Sequence, residues 1–231
     1  VYDRGTITAK KIILTTHFPF LDRIGGFYLK LYQNRSYTLA LKNAPRLHGM
    51  YVNGDGNGIS ARSQGEYMLL SGGAHRTGRR CGGWRELQSF ASHYFPYAKE
   101  NFAWAAQDCM SLDGLSYVGR YSAFTPDYYV ATGFNKWGMT ASMSAAMLLR
   151  DLILERDNEM EKIFSPQRSI WHRQLLCNAG EVILDFFTPT VKRCPHSGCA
   201  LKWNAAEHSW DCPCHDSGFS EKSALLENPV N

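Results

Sequence analysis

The sequence predicts a mixed protein of the α/β (α+β) class with a separate C-terminal module. Three observations lead to this prediction. Residues 128–153 read as an apolar strand, a glycine-bearing turn and an amphipathic helix; residues 25–115 are rich in β-forming stretches separated by glycine turns; and residues 193–220 contain four cysteines and three histidines. The first pattern is typical of an open α/β sheet, and the second is typical of a mostly antiparallel sheet.

The overall composition is that of an ordinary globular protein. The chain has 231 residues, of which 44% are apolar and 20% are charged, and its formal net charge is +4. Lysine and arginine are scattered, so no basic stripe indicates a nucleic-acid partner. Every apolar run ends well before the ~20 residues that a membrane span requires, and the first residues lack the pattern of a signal peptide. We therefore expect a cytoplasmic protein with no membrane span and no nucleic-acid partner.

The first predicted element is a strand over residues 6–16. Its end, IILTT, is apolar and β-branched, which is typical of a buried strand in an α/β sheet. Because Val1 is not an initiator methionine and the strand begins almost at once, we expect the chain to be part of a longer protein. The β-rich stretch that follows is interrupted by one amphipathic helix over residues 84–95. We interpret residues 25–115 as one mostly antiparallel layer.

The strand, turn and helix of residues 128–153 form the sharpest local pattern. The helix repeats apolar residues at i, i+3, i+4, i+7 and i+8, which are Ala145, Leu148, Leu149, Leu152 and Ile153. We expect Thr140 to cap its N-terminus. Free backbone N–H groups at such a turn can bind a ligand. Spacing alone favours the simpler interpretation that Gly133 and Gly138 only shape a tight connection.

The cysteine-rich segment offers two pairs of metal ligands, Cys194-x-His196 and Cys212-x-x-His215. Two thiolates and two imidazoles can hold a tetrahedral zinc ion, or a 2Fe-2S cluster with both cysteines on one iron. Zinc fingers pair cysteine with cysteine along the chain, whereas each loop here supplies one cysteine and one histidine. That alternation favours two loops that each reach both metals, and a structural zinc site remains the alternative.

Two further cysteines, Cys199 and Cys214, complete a longer motif. The stretches CPHSGC and CPCHDSGF closely resemble the Rieske iron-sulfur family. The resemblance implies that Cys194 and Cys212 bind one iron and that His196 and His215 bind the other. It also implies a disulfide between Cys199 and Cys214. The chain has seven cysteines, and most of them lie near its C-terminal end. This odd, uneven distribution favours metal or redox use over the disulfide framework of a secreted protein.

A cluster of this kind carries one electron and performs no substrate chemistry by itself. Replacing two thiolates by two neutral imidazoles removes negative charge, which raises the potential by roughly hundreds of millivolts over all-cysteine ferredoxins. By resemblance, Ser217 donates a hydrogen bond toward the cluster. Asp216 stands where the family commonly has glycine, and its negative charge is expected to lower the potential. The segment is therefore predicted to relay electrons.

The residues before this segment resemble a flavoprotein. YYVATGFNKWGMTASMSAAMLLRDLI, WAAQDCMSLDGLSYVGRYS and LLSGGAHRTG are similar to the C-terminal half of FAD-dependent oxidoreductases of the D-amino-acid oxidase/glycine oxidase superfamily. The resemblance places the glycine turn against the flavin and implies four contact residues, Gly133, Gly138, Met139 and Thr140. The dinucleotide fingerprint G-x-G-x-x-G is not found, so we expect it upstream of Val1 and expect little FAD binding by this chain alone.

As a whole, the chain resembles FAD-dependent oxidoreductases that end in an all-β Rieske module. The implied domains are a partial FAD-binding domain at 1–24 and 116–158, a substrate-domain sheet at 25–115, a linker at 159–174 and a Rieske 2Fe-2S domain at 175–231. The implied function is FAD-dependent oxidation of an amine- or amino-acid-like small molecule, coupled to one-electron exchange with a redox partner protein.

No catalytic residue is assigned from the sequence. His75, Arg76 and Asp108 lie in stretches that resemble loops facing an active site, and an arginine can bind a substrate carboxylate. Solvated charges or structural ion pairs explain these residues at least as well. A stand-alone electron carrier or docking module without flavin chemistry is the alternative function. The layout argues against a Rieske oxygenase subunit, because too few residues follow His215 for a mononuclear-iron domain.

Overall fold

The computed structural model describes residues 6–54, 58–79, 82–195, 198–214 and 217–227. In chain order the elements are β1 (Ile12–Leu14), α1 (Asp22–Gly25), α2 (Phe27–Lys30), β2 (Leu31–Lys42), β3 (Tyr51–Val52), β4 (Ser60–Gln64), β5 (Tyr67–Arg76), α3 (Arg85–Tyr94), β6 (Lys99–Ser111), β7 (Tyr117–Ser122), β8 (Thr125–Thr132), α4 (Gly138–Ile153), α5 (Glu161–Phe164), α6 (Arg173–Phe187), β9 (Lys202–Asn204), β10 (Ser209–Asp211), β11 (Gly218–Ser220) and β12 (Leu225–Glu227).

The largest sheet is antiparallel and has the strand order β3-β4-β5-β2-β6. Along β2, buried and partly exposed residues alternate, which is the period of a strand with one well-covered face. Helix α3 covers that face, since Leu87 and Ala91 join the same core as Tyr37 and Leu39. The antiparallel sheet and the amphipathic helix predicted for this stretch are therefore confirmed.

A smaller sheet has the order β1-β8-β7, in which β1 runs parallel to β8 and β7 runs antiparallel to it. Helix α4 packs on this sheet with the apolar face that its sequence period predicts. The residues of the shared core are Ala145, Leu148, Leu149 and Leu152 from α4 with Val118, Tyr129 and Ala131 from β7 and β8. Together the two sheets and the helices give the mixed α/β architecture that was predicted.

The first strand is shorter and more exposed than predicted. Only Ile12–Leu14 of residues 6–16 pair with a neighbour, and Ile12 and Ile13 are 39% and 46% exposed. Leu14 is buried, but the prediction of a buried strand is wrong for the other two residues. In the described part of the chain β1 is an edge strand, and a local apolar run cannot show whether a neighbour will cover it.

The start of α4 also differs from the prediction. The helix begins at Gly138, with Trp137 in the capping position. The Thr140 hydroxyl lies inside the first turn and donates back to the Trp137 carbonyl over 3.1 Å, so Thr140 does not cap the helix. A threonine hydroxyl in a first turn can bond a preceding carbonyl in this way, and spacing alone does not distinguish the two positions.

The C-terminal part contains a small antiparallel sheet, in the order β12-β11-β10-β9. Its strands begin at Lys202, whereas α6 occupies the earlier part of the range 175–231 that was expected to be all β. The range 159–174, expected to be a linker, contains α5. The domain boundaries drawn from the sequence remain predictions. Of the helices in the described ranges, none has both the length and the apolar character needed to cross a membrane.

Candidate functional site

The carboxyl ends of β1 and β8 meet at one edge of the small sheet, because these two strands are parallel. Directly after β8, Gly133 has a φ of 68°. A Cβ atom built on it would lie 3.0 Å from Leu31 Cδ2 and 3.4 Å from Ser111 Cβ. Both the left-handed conformation and the close contacts favour glycine. This bend leads the chain from the sheet into α4, and it is the turn that was predicted to face the flavin.

Asn135 fixes the shape of this turn. Its backbone N–H donates to the Cys109 carbonyl over 3.3 Å. Its side-chain Oδ1 accepts a 2.8 Å hydrogen bond from the Ser111 backbone N–H, and its Nδ2 donates to the Gly133 carbonyl over 2.7 Å. Asn135 was missed in the sequence, although an asparagine beside a glycine turn is a known signal for the left-handed conformation that it adopts here.

Three ionisable side chains interact beside the turn, namely His17, Asp108 and Lys136, which we name the strand-end cluster. Asp108 pairs with Asn34 in the β2–β6 ladder. Burial raises the pKa of Asp108, and the nearby Lys136 and His17 partly oppose that rise. Burial lowers the pKa of Lys136, and Asp108 partly opposes that change. Both directions indicate that the two groups are partly withdrawn from water.

The backbone holds the strand-end cluster in an unusual conformation. His17 and Lys136 have φ values of 61° and 71°, which are uncommon for residues other than glycine. The Thr132 hydroxyl donates to the His17 carbonyl and so joins the segment after β1 to the end of β8. Of the three members of this cluster, Asp108 alone is indicated by the sequence. No local pattern marks His17 or Lys136, because segments distant in the sequence bring them together.

The four predicted flavin contacts lie along this turn and the first turn of α4. Gly133 is buried, Met139 is 91% exposed, and nothing lies within 4 Å of a Cβ atom built on Gly138. The backbone N–H groups of residues 138–140 have no partners within the helix and lie at the positive end of its dipole. The residues present therefore fit an extended, negatively charged group such as FAD, and contact with it remains a prediction.

The second part of the site is a buried centre of four cysteines. Their exposed fractions are between 0% and 5%, and the residues are Cys194, Cys199, Cys212 and Cys214. The Cys212 thiol lies within hydrogen-bonding reach of the other three, and these contacts together with burial raise its pKa well above the usual range. The Cys199 and Cys214 thiols are likewise within hydrogen-bonding reach of each other. Their disulfide remains a prediction.

Local hydrogen bonds shape the two loops that carry these cysteines. The Cys194 backbone N–H donates to the Cys199 carbonyl over 2.9 Å, and the Cys212 backbone N–H donates to the Ser217 carbonyl over 2.9 Å. Two predicted ligands, His196 and His215, lie outside the described residues, as does Asp216. Within the described ranges, no three His, Cys, Asp or Glu side chains form a group that could hold a metal ion. The predicted ligand set therefore depends on both histidines.

The surroundings of Ser217 indicate whether the space between the two cysteine loops suits the predicted cluster. Its side chain is 1% exposed, and its Oγ has no hydrogen-bond partner among the described residues. A buried hydroxyl without a partner costs free energy, so such groups are normally satisfied. Sulfur atoms between the two cysteine loops would accept this hydrogen bond. The donor set of two buried thiols from two loops and one unsatisfied hydroxyl thus fits a 2Fe-2S cluster.

His75 and Arg76 contact other parts of the fold. The His75 ring stacks on Tyr37 with ring centroids 5.7 Å apart. Arg76 donates to Asn178 Oδ1 over 2.8 Å and forms an ion pair with Glu181 of α6. These contacts match the alternative that the two residues are structural. All three residues from stretches that resembled active-site loops lie on strands, His75 and Arg76 on β5 and Asp108 on β6, and of these Asp108 alone belongs to the strand-end cluster.

Solved structures with a similar fold include a glycine oxidase and an L-amino acid deaminase. The glycine oxidase from Geobacillus kaustophilus aligns with 73% of this chain and 48% of its own, with a TM-score of 0.60 and 22% identity. The L-amino acid deaminase from Proteus vulgaris, in a form without its specific insertion sequence, aligns with 72% of this chain and 45% of its own, with a TM-score of 0.57 and 19% identity. Identities this low show a shared fold alone.

Two curated proteins are similar to this chain in sequence. YhfW of Bacillus subtilis, which is named as a Rieske 2Fe-2S iron-sulfur protein, is 30% identical over 279 residues, covering 98% of this chain and 54% of YhfW. The cytochrome b6-f complex iron-sulfur subunit of Nostoc punctiforme is 33% identical over 56 residues, or 24% of this chain and 30% of that one. The chain thus spans about half the length of YhfW.

Most of the chain matches a known protein family. The family model described as FAD dependent oxidoreductase (DAO) matches residues 1–152, which include all three strands of the small sheet, the whole five-stranded sheet and nearly all of α4. The resemblance predicted from the sequence is therefore confirmed, and the chain belongs to the FAD dependent oxidoreductase (DAO) family.

Proposed function

We propose that the protein containing this chain oxidises an amine- or amino-acid-like small molecule with FAD and exchanges the electrons singly with a redox partner protein through a Rieske 2Fe-2S cluster. The observation that carries this proposal is the buried four-cysteine centre in a chain of the FAD dependent oxidoreductase family. The names of the relatives support it, because YhfW is named as a Rieske protein and the structural neighbours are a glycine oxidase and an L-amino acid deaminase.

The turn after β8 would hold the flavin. FAD, when bound, accepts two electrons from the substrate as a hydride. The start of α4 is open, since a Cβ atom built on Gly138 would meet no atom within 4 Å and Met139 is 91% exposed, which supports contact of the flavin with the backbone N–H groups of Gly138, Met139 and Thr140. These groups and the helix dipole would stabilise negative charge on the ring. Removal of water between turn and ring would strengthen that effect.

The strand-end cluster would bind the substrate. The Asp108 carboxylate can bind a substrate ammonium group, and Lys136 can bind a negative group such as a carboxylate. Both side chains are partly withdrawn from water, so each interaction is stronger than it would be in bulk solvent. A substrate that carries both charges would be held in one orientation beside the turn.

The cysteine loops would hold the cluster. Cys194 and Cys212 would bind one iron, while His196 and His215 would bind the other. The cluster supplies one-electron transfer. Ser217 would donate its buried hydroxyl hydrogen to a cluster sulfur, which stabilises the more negative, reduced form.

Anaerobic mixing of the full-length protein with a panel of amines and amino acids tests this function. We expect a substrate to bleach the flavin absorbance and to generate the electron paramagnetic resonance signal of a reduced Rieske cluster. Cys212→Ser should retain the bleaching and lose both the signal and the iron. Cys177→Ser is the control, because Cys177 is exposed on α6.

Two outcomes would favour the alternatives. A protein that purifies without flavin but shows the cluster signal would indicate a stand-alone electron carrier or docking module. A colourless protein that contains zinc and gives no signal after dithionite would indicate a structural zinc site. Either result would contradict the proposed function.

A further inference from the structure

A buried ion network joins the five-stranded sheet to the cysteine-rich module. Arg35 of β2 has a side chain that is 4% exposed, and its Nε and Nη2 donate to the two carboxylate oxygens of Glu207. Its Nη1 donates to Gln107 Oε1 over 2.8 Å and lies 3.8 Å from Asp211 Oδ2. One guanidinium therefore contacts β6 of the sheet and two acidic residues of the module.

Within the module, further hydrogen bonds continue this network to a cluster ligand. Asn204 Nδ2 donates to Glu207 Oε1 over 2.8 Å and to Asp211 Oδ2 over 3.0 Å. The Ser209 hydroxyl donates to Asp211 Oδ1 over 2.8 Å. Asp211 directly precedes Cys212 in the chain. The Arg35 guanidinium is thus linked to the Cys212 loop by one acidic side chain and one peptide unit.

The same stretch of β2 and β6 carries Asp108 of the strand-end cluster on its other face. Arg35 pairs with Gln107, and the neighbouring residue Asn34 pairs with Asp108. Successive side chains of a strand point to opposite faces of the sheet. Arg35 and Asp108 belong to neighbouring residue pairs of the β2–β6 ladder, so their side chains project from opposite faces of the sheet. The module is attached to one face at the point where the other face carries the predicted substrate ligand.

We propose that Arg35 is a positioning residue that docks the Cys212 loop on the five-stranded sheet. The substrate site and the cluster are thereby held in one fixed arrangement, in which electrons pass between them. This inference rests on the proposed function. Oxidation of one substrate molecule would give the flavin two electrons, which would pass one at a time to the cluster and from it to an external one-electron acceptor protein, so that two acceptor molecules are reduced for each substrate molecule oxidised. Arg35 itself undergoes no redox change.

The network is better suited to fixing a position than to stabilising the fold. A buried ion pair pays a desolvation penalty that offsets much of its attraction, whereas the loss of one partner leaves the other charge buried and uncompensated. Without Arg35, Glu207 and Asp211 would gain by reaching water. The Asn204 and Ser209 hydrogen bonds would still hold the module together, so we expect the docking to loosen and the cluster loops to stay intact.

The test compares Arg35→Met with Lys42→Met in the full-length protein. Lys42 lies on the same strand, and its ion pair with Glu66 is exposed, with side-chain exposures of 45% and 58%. We expect Arg35→Met to keep the wild-type paramagnetic resonance signal after dithionite and the wild-type rate of flavin bleaching by substrate. The rate at which substrate then reduces the cluster should fall about tenfold, with wild-type behaviour in Lys42→Met.

A second readout does not depend on the cluster. Hydrogen exchange of the backbone amides in residues 202–211 should become about tenfold faster in Arg35→Met and stay unchanged in Lys42→Met. If the wild-type protein shows no cluster signal, the proposed function fails, and the exchange rates still decide whether Arg35 docks the module. Unchanged exchange, or unchanged cluster reduction in a loaded protein, would overturn the inference.

Glu207→Gln approaches the same contact from the module side and serves if Arg35→Met does not fold. It should reproduce the slow cluster reduction with an intact signal. The reversed pair Arg35→Glu with Glu207→Arg should recover part of the rate, because it restores opposite charges at the same contact. Loss of the dithionite-reduced signal in both single variants would also overturn the inference, since the network would then support the loops themselves.

Discussion

Arg168 and Asp113 form a two-point ion pair, with Nε 2.7 Å from Oδ2 and Nη2 2.7 Å from Oδ1. The same guanidinium lies 3.8 Å from the centroid of the Tyr117 ring and donates to the Ser116 carbonyl over 3.0 Å. Arg168 belongs to the stretch 159–174 that was expected to be a linker. The contacts anchor that stretch to the loop between β6 and β7.

The Asp113–Arg168 pair predicts a pH-dependent stability. Burial raises the pKa of Asp113, but hydrogen bonds from Arg168 and from the Leu115 backbone N–H outweigh burial, so the pKa lies below its usual value. A lowered carboxyl pKa gives stability that is present above the unfolded value of about 4 and is lost as pH falls through the folded value. We expect Asp113→Asn to lower the free energy of unfolding at pH 7 by about 1–3 kcal/mol.

Urea unfolding at several pH values measures this effect. The difference between Asp113→Asn and the wild type should shrink as the pH falls below about 4, where the wild-type carboxylate also becomes protonated. Glu66→Gln is the control, because Glu66 forms an exposed pair with Lys42 and contributes little. A difference that is constant from pH 7 to pH 3 would contradict the assignment of the stability to this carboxylate.

The glycines of the flavin turn allow a matched pair of variants. Gly133→Ala places a Cβ atom in a left-handed conformation and 3.0 Å from Leu31, so we expect a loss of about 1–2 kcal/mol in unfolding free energy. Gly138→Ala meets no atom within 4 Å and should cause no loss. If the turn faces the flavin, Gly138→Ala should nevertheless lower the FAD content per chain of the full-length protein, as measured by absorbance. Full FAD content in this variant would argue against Gly138 as a contact.

The unsatisfied hydroxyl of Ser217 predicts a change in reduction potential. A hydrogen bond to a cluster sulfur stabilises the reduced form, so Ser217→Ala should lower the potential. A contribution of about 1 kcal/mol corresponds to roughly 40 mV for one electron. Redox titration followed by paramagnetic resonance measures it. Ser220→Ala, a partly exposed position on β11, is the control, and an equal potential in all three proteins would show that Ser217 does not reach the cluster.

The strand-end cluster predicts a pH-dependent substrate affinity. Burial raises the pKa of Asp108, so its carboxylate is protonated, and loses its attraction for an ammonium group, at a higher pH than an exposed aspartate. KM for an amine substrate should therefore rise as the pH falls through this raised pKa. Asp108→Asn should raise KM about tenfold at pH 8 and remove that part of the pH profile. An unchanged KM would place the substrate elsewhere.

The sequence predicted those features that depend on neighbours along the chain. The apolar period at Ala145–Leu152 correctly marked the buried face of α4, and the pattern at 84–95 correctly marked α3. The first strand was wrong because burial depends on what covers it. The Arg35–Glu207 contact joins residues 172 positions apart, and no local signal could reveal it. Asp108 could be singled out by resemblance, whereas its neighbours His17 and Lys136 could not.

Three residues other than glycine have left-handed backbone conformations beside the proposed flavin and substrate sites, and these are His17, Asn135 and Lys136. Conformations of this kind cost about 1–2 kcal/mol each, less for asparagine, and the rest of the fold must compensate. Selection for heat resistance alone would therefore favour glycine at these places. Glycine would remove the side chains that bind charged groups and fix the shape of the turn. The more stable protein would therefore turn over its substrate more slowly.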